Sequence, residues 1–257
     1  MLRGRSGIES LVRDKSAVLA HWAQMIAGNA SVEPLPLRLC LACVRLAGAD
    51  GGAITLAYTR TERVTLCVTD ETAARLEDLQ DVLGQGPGPD AYRTGQTVAT
   101  SLDSPAAGRW PMFTQAAQAA VGQAVLYSFP IQPDGGVLGV LTLYQAAPRP
   151  LRYETAEVQF LADALGVALL RDPASRAEAS IGPWSSRALV HQATGMVIAQ
   201  LGIGPDDALA LLRAHAYAHA TTLESMADQV ISRDLDFART DSGTADTGTD
   251  SNGNETP

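Results

Sequence analysis

The sequence predicts an α+β fold: an antiparallel sheet with flanking helices, followed by an all-α bundle of three helices. Three observations carry that expectation. About five short strand-like runs lie between helical stretches gathered at both ends, and two of them flank a strong hairpin turn, Gln132-Pro-Asp-Gly-Gly136. Beyond a polar connector at 172–183, every periodic segment is helical. The 257 residues are 46% hydrophobic and 18% charged with mean hydropathy +0.02, a globular composition with a core to bury. That composition excludes a fibrous chain, a wholly disordered chain and a polytopic membrane protein, since no run nears the roughly 18 apolar residues of a spanning helix.

Residues 8–26 place Ile8, Leu11, Val18, Trp22 and Met25 at seam spacing, with Lys15 in the one polar slot. This is either a short dimer seam or a helix packed on its own domain. A helix at 35–46 stops at Gly48-Ala-Asp-Gly-Gly52. Strands follow at 53–58 and 63–68, then a polar helix at 71–82 and a turn at Gly84-Gln-Gly-Pro-Gly88. A short strand at 97–100, an Ala-rich helix at 112–120, strands at 124–131 and 137–144, and a long helix at 153–170 complete the first unit. In the second unit, a helix at 184–201 ends at Gly202. Pro205, backed by Asp206 and Asp207, opens a helix running to about 220. Thr221-Thr-Leu-Glu224 has capping-box spacing for a third helix, with Leu223, Met226, Ala227, Val230 and Ile231 on one face. The stretch 239–257 carries Asp241, Asp246, Asp250 and Glu255 without a large apolar side chain, and is expected to be a disordered acidic tail.

The net charge of −9 argues at first against nucleic acid as a partner. The N-terminus has no signal-like apolar stretch and three cysteines make no disulfide framework, so the expected location is cytoplasmic. No P-loop, nucleophile elbow or zinc-helix motif occurs, and Gly84–Gly88 lacks the Lys-Ser/Thr that would hold phosphate and magnesium. Cys40, Cys43 and Cys67 lack a fourth metal ligand and read as small apolar residues or, failing that, a redox switch. His215 and His219 share a helix face without an acidic third ligand. No catalytic residue, metal or cofactor is expected; the chain reads as a non-enzyme.

The segments His191-Gln-Ala-Thr-Gly-Met-Val197, Asp207-Ala-Leu-Ala-Leu-Leu-Arg213 and Leu223–Val230 resemble the ANTAR domain, a three-helix RNA-binding module of bacterial transcription antiterminators. Ala193 and Gly195 match the small residue and glycine of its first helix. Ala208, Leu212 and Arg213 match the alanine and Leu-Arg pair of its second. The resemblance implies an RNA-binding surface, with Gln192, Ala193, Thr194, Gly195, Arg213 and Arg187 as its candidate residues. Thr194 stands where many members carry lysine, so one phosphate-binding charge is missing. A glycine inside a helix costs about 1 kcal/mol against alanine, so Gly195 serves either close helix packing or close approach by an RNA loop. Arg213 is either a phosphate or base contact or an ion pair with Asp206 or Asp207.

Upstream, Gly84–Gly88 before Asp90-Ala-Tyr-Arg-Thr-Gly95, Arg109-Trp-Pro111, and Leu138-Gly-Val-Leu-Thr-Leu-Tyr144 before the closing helix resemble a GAF domain, a small-molecule sensor fold. The Asn-Lys…Phe…Asp-Glu set of cyclic-nucleotide-binding members is absent, and no haem ligand is evident. Tyr58, Trp110, Phe113 and Tyr127 either line a ligand pocket or belong to the core. The expected organisation is an N-terminal helix and connector at 1–34, the sensor at 35–171, a linker at 172–183, the bundle at 184–238 and the tail at 239–257. The expected function is signal-responsive antitermination, the bundle binding paired RNA hairpins in leader transcripts and the sensor binding a small molecule or mediating dimerisation. No membrane partner is expected. A homodimer is expected through the N-terminal helix and the closing helix around Phe160, Leu161, Leu165 and Leu169. The alternative is an interaction module whose bundle docks a protein. Five arginines against seven carboxylates between Ser175 and Thr240 keep that alternative open.

Overall fold

All five strands pair antiparallel, in the order β2-β1-β5-β4-β3, and the helices follow from how this sheet is covered. The structure, a computed structural model, describes residues 17–27, 33–57, 63–103, 109–147, 149–172 and 183–240. Helices α1 (Ala17–Ala27) and α2 (Leu35–Ala47) precede strands β1 (Gly51–Ala57) and β2 (Arg63–Val68). Then come α3 (Glu71–Leu83), α4 (Pro87–Thr94), β3 (Val98–Ser101), α5 (Pro111–Val121), β4 (Val125–Ile131), β5 (Gly139–Gln145) and α6 (Thr155–Arg171). The bundle comprises α7 (Pro183–Leu201), α8 (Pro205–Ala218) and α9 (Leu223–Ile231), with a short α10 (Phe237–Thr240) behind them.

Strand alternation divides the sheet's side chains between two cores. Ile54, Leu56, Phe129, Ile131, Leu141 and Leu143 face α1, α2 and α6. Val98, Leu126, Val140 and Tyr144 face α3, α4 and α5. A third core lies inside the bundle. The expected stops act as read: Gly48 and Gly202 close α2 and α7 at φ +69° and +66°, and Pro205 opens α8.

Four details differ from the sequence reading. The Gly84–Gly88 break contains the start of α4: Gly86 at φ +136° is its N-cap, and Pro87 supplies the first-turn φ. The cap of α9 is Thr222, whose Oγ1 accepts from the Ser225 amide at 3.1 Å, because Thr221 is spent closing α8 by donating to the Ala216 carbonyl. The N-terminal helix turns inward, with Val18 and Trp22 buried in the protomer's own core and Met25 packed against it; Ile8 and Leu11 lie outside the described residues. Leu161, Leu165 and Leu169 of α6 are likewise buried in that core rather than offered to a second copy. The tail beyond Thr240 also lies outside the described residues.

Candidate functional site

Helix α3 runs from the sheet to the bundle and is anchored along its length. At its start, Asp70 Oδ1 accepts from the Ala73 amide at 2.9 Å and from the Tyr144 hydroxyl at 3.0 Å, tying the helix to β5. In its middle, the buried Glu77 carboxylate accepts from Thr55 Oγ1 and from Gln80 Nε2, each at 2.9 Å. Gln80 Oε1 in turn accepts from the Gly88 amide at 2.7 Å, so the glycine-rich loop is bound to α3. Burial pushes the Glu77 carboxyl above its ordinary range.

The last turn of α3 has unpaired carbonyls to satisfy and no basic residue of its own. Two arginines from elsewhere supply the charge. Arg63, the first residue of β2, donates from Nη2 to the Gln80 carbonyl at 2.9 Å. Arg213, from α8 of the bundle, donates from Nε to the Asp81 carbonyl at 3.0 Å. Asp81 Oδ1 lies 3.5 Å from Arg63 Nη2 and 3.8 Å from Arg213 Nη2. Val82 beside it is buried within the bundle core, against α8 and its neighbours. Burial draws the Arg213 guanidinium below its ordinary range, with Asp81 opposing and Arg63 reinforcing the shift. A cavity of about 280 Å³ opens along this junction, lined by Thr55, Glu77 and Asp78 on the sheet side and Thr194, Leu209 and Glu224 on the bundle side. Burial, and then the charges of Asp81 and Glu224, push the Asp78 carboxyl up.

The candidate residues of the bundle point in different directions. Gln192 and Gly195 are exposed on α7, with Ala188 and Ala199 along the same outward face, and among the described residues nothing lies within 4 Å of where a Gly195 Cβ would be. Among the described residues no packed helix accounts for this glycine. Ala193 faces inward, wholly buried in the bundle core, and offers no surface to a ligand in this arrangement. Thr194 lines the junction cavity, and its Oγ1 donates back to the Val190 carbonyl at 2.7 Å. Arg213 is held by Asp81, 132 residues away in sequence. The Arg187 side chain and Tyr58 lie outside the described residues.

The remaining aromatics do not converge on one cavity. Trp110 and Phe113 are buried on the α3–α5 face of the sheet, whereas Tyr127 packs against the opposite core. Arg109 lies 4.9 Å over the Trp110 ring and pairs with Asp90 at 2.8 Å. Cys40, Cys43 and Cys67 are free thiols, and burial pushes Cys43 up to about 12. The stacked His215 and His219 rings lie 6.0 Å apart, and His215 meets Phe237 edge-on. Among the described residues, no group of three or more His, Cys, Asp or Glu side chains is placed to hold a metal ion. Sequence reasoning missed Asp81, Arg63 and Val82. The one available signal was Val82-Leu83, an apolar pair at the very end of α3.

Residues 38–169 match the GAF domain and residues 184–231 match the ANTAR domain. No curated protein matches the sequence. Among solved structures, one is a domain of a protein described as a two-component sensor histidine kinase from Sinorhizobium meliloti 1021. It shares 18% identity over 58% of this chain and 96% of its own, with a TM-score of 0.42. The A. Aeolicus nlh2 GAF domain in an inactive state is 14% identical over 63% of this chain and 99% of its own, also at 0.42. An RNA-binding Light-Oxygen-Voltage receptor is 17% identical over 78% of this chain and 60% of its own, with a TM-score of 0.22.

Proposed function

Because the chain belongs to the two-domain GAF–ANTAR regulators, we propose that it is a signal-responsive antitermination regulator whose ANTAR bundle binds paired RNA hairpins. The reading takes the sensor domain as 35–171 and the RNA-binding domain as 184–238. The observation that carries it is Gly195. A glycine in mid-helix destabilises the helix by about 1 kcal/mol, and here no neighbour among the described residues requires it. The outward face around it, Ala188, Gln192 and Ala199, is small and free of formal charge, which suits close approach by a hairpin loop. Gln192 supplies an amide for base edges on that face.

The sensor domain supplies the signal dependence in this reading, through a small molecule or through pairing of two copies. Among the described residues no single helix is long and apolar enough to cross a membrane, and an RNA partner places the action in the cytoplasm. The same uncharged face suits a protein helix, so the experiment must separate the two. Gel-shift titration of tandem-hairpin RNA at low salt compares the full chain with Gly195→Leu. Leucine is a good helix former and has room here, so the fold is expected to stand while RNA binding falls at least 10-fold. Unchanged RNA binding by a folded Gly195→Leu protein removes the α7 face as the reader. Light scattering of the full chain at tens of micromolar checks pairing, and a monomer mass there removes the homodimer from the proposal.

A further inference from the structure

Two guanidiniums from different domains converge on one carboxylate at the end of one helix. Arg63 comes from the sensor's β2 and Arg213 from the bundle's α8; their side chains are only 11% and 16% exposed, whereas Asp81 is 37% exposed. Both arginines also bond last-turn carbonyls of α3, at Gln80 and Asp81. A helix C-terminus carries roughly half a negative charge, and a carboxylate beside it adds a full one. The arginines thus see a compact anionic group with several acceptor oxygens, which is the chemistry a phosphodiester presents. Lys15 is the sole lysine of the chain, so among the described residues every Lys or Arg cation is a planar arginine fork suited to that geometry.

We propose that the C-terminal end of α3, centred on Asp81, is an intramolecular stand-in for RNA phosphate that occupies Arg213 and Arg63 until RNA displaces it. The proposal rests on the RNA-binding reading above and adds its regulation and a second domain's arginine. Val82 holds the bundle against α3 by apolar contact, so the domains do not need Asp81 for docking. Asp81 instead brings a third carboxylate near Asp78 and Glu224. Its ion pair with Arg213, at 3.8 Å, is loose enough to exchange. The junction cavity beside it gives a displaced side chain somewhere to go. The other end of α3 is bonded to Tyr144 and its middle to Thr55, so a change on the sensor's sheet face moves the element that carries the stand-in.

The test titrates tandem-hairpin RNA at low salt into the full chain and into Asp81→Asn, Arg213→Ala, the Asp81→Asn/Arg213→Ala double substitution, and Asp228→Asn. Asparagine keeps the shape of Asp81 and leaves the backbone acceptors for both arginines in place. Asp228 is an exposed carboxylate on α9, so its substitution measures the effect of one lost charge by itself. Asp81→Asn is expected to bind about 5-fold tighter or more, the low end of couplings between sites, and beyond any gain from Asp228→Asn. Its logarithmic salt slope should steepen by roughly 0.7 to 0.9 for each additional phosphate that a released arginine neutralises. In the Arg213→Ala background the gain should disappear. If Asp81→Asn matches Asp228→Asn while Arg213→Ala still weakens binding, the stand-in is overturned and the RNA reading survives. If no full-length variant binds at low salt, the RNA reading fails and takes the stand-in with it.

Discussion

Glu77 is a buried carboxylate, and its pKa is raised because burial outweighs the hydrogen bonds and the Arg63 charge that oppose it. The unfolded value is about 4.3. A folded value above it means the folded state holds the proton more tightly, so this contribution to stability is full below the unfolded pKa and is lost as pH rises through the folded one. Glu77→Gln keeps the network intact, with Oε1 accepting from Gln80 and Nε2 donating to Thr55, which then donates to Thr65. Urea midpoints should show the substitution at least as stable as the parent at pH 7, with its advantage shrinking toward pH 4. An equal loss at both pH values would mean that the charge costs nothing. Gly195 makes the opposite kind of prediction. With open space above it, Gly195→Ala should raise stability by about 1 kcal/mol, read as a higher urea midpoint, whereas a glycine needed for packing would lose stability.

At the scale of elements, α3 decides how the two domains meet. Its N-terminal cap and Tyr144 fix it to the sheet, Glu77 and Gln80 seat it and the α4 loop, and Val82 leaves the sensor to complete the bundle's core. Val82→Ala removes two methyl groups from that core, worth about 1.6 kcal/mol in transfer free energy plus a cavity term. A loss of about 2 kcal/mol is expected, and hydrogen exchange should register it as weakened protection in α8 as well as α3. Loss of protection confined to α3 would show that the bundle does not depend on the contact. Glycine at 86 is required on the same helix surface: at φ +136°, a Cβ there would stand 2.6 Å from Gln80 Oε1.

For the whole molecule, α1 belongs to the sensor's core, so its removal is a change of stability as well as of any pairing. A chain starting at Val32 loses Val18 and Trp22 from the core and should melt several degrees below the full chain, by calorimetry, whatever its oligomeric state. An unchanged melting temperature would show that α1 is not part of the folded unit. Most helices and strands between Leu35 and Ile231 were legible in the sequence, because their apolar periods and their stops at Gly48, Gly202 and Pro205 act over one or two turns of chain. Gln192 and Gly195 were named through the resemblance of 191–197 to the ANTAR first helix, and both are exposed on α7. Helix α4 was not, since Gly84-Gln-Gly-Pro-Gly88 reads locally as a turn and becomes a helix start only when Gln80 receives the Gly88 amide. The fates of Tyr127, Phe113 and Arg213 were not legible either. Strand register turned Tyr127 toward the α1–α2–α6 core while α5 carried Phe113 onto the opposite face of the sheet, and packing across 132 residues gave Arg213 the end of α3 as its partner. Local spacing determines which face a side chain takes on its own element, but its partner depends on which distant surface that face is buried against, and only the folded chain brings that surface into place.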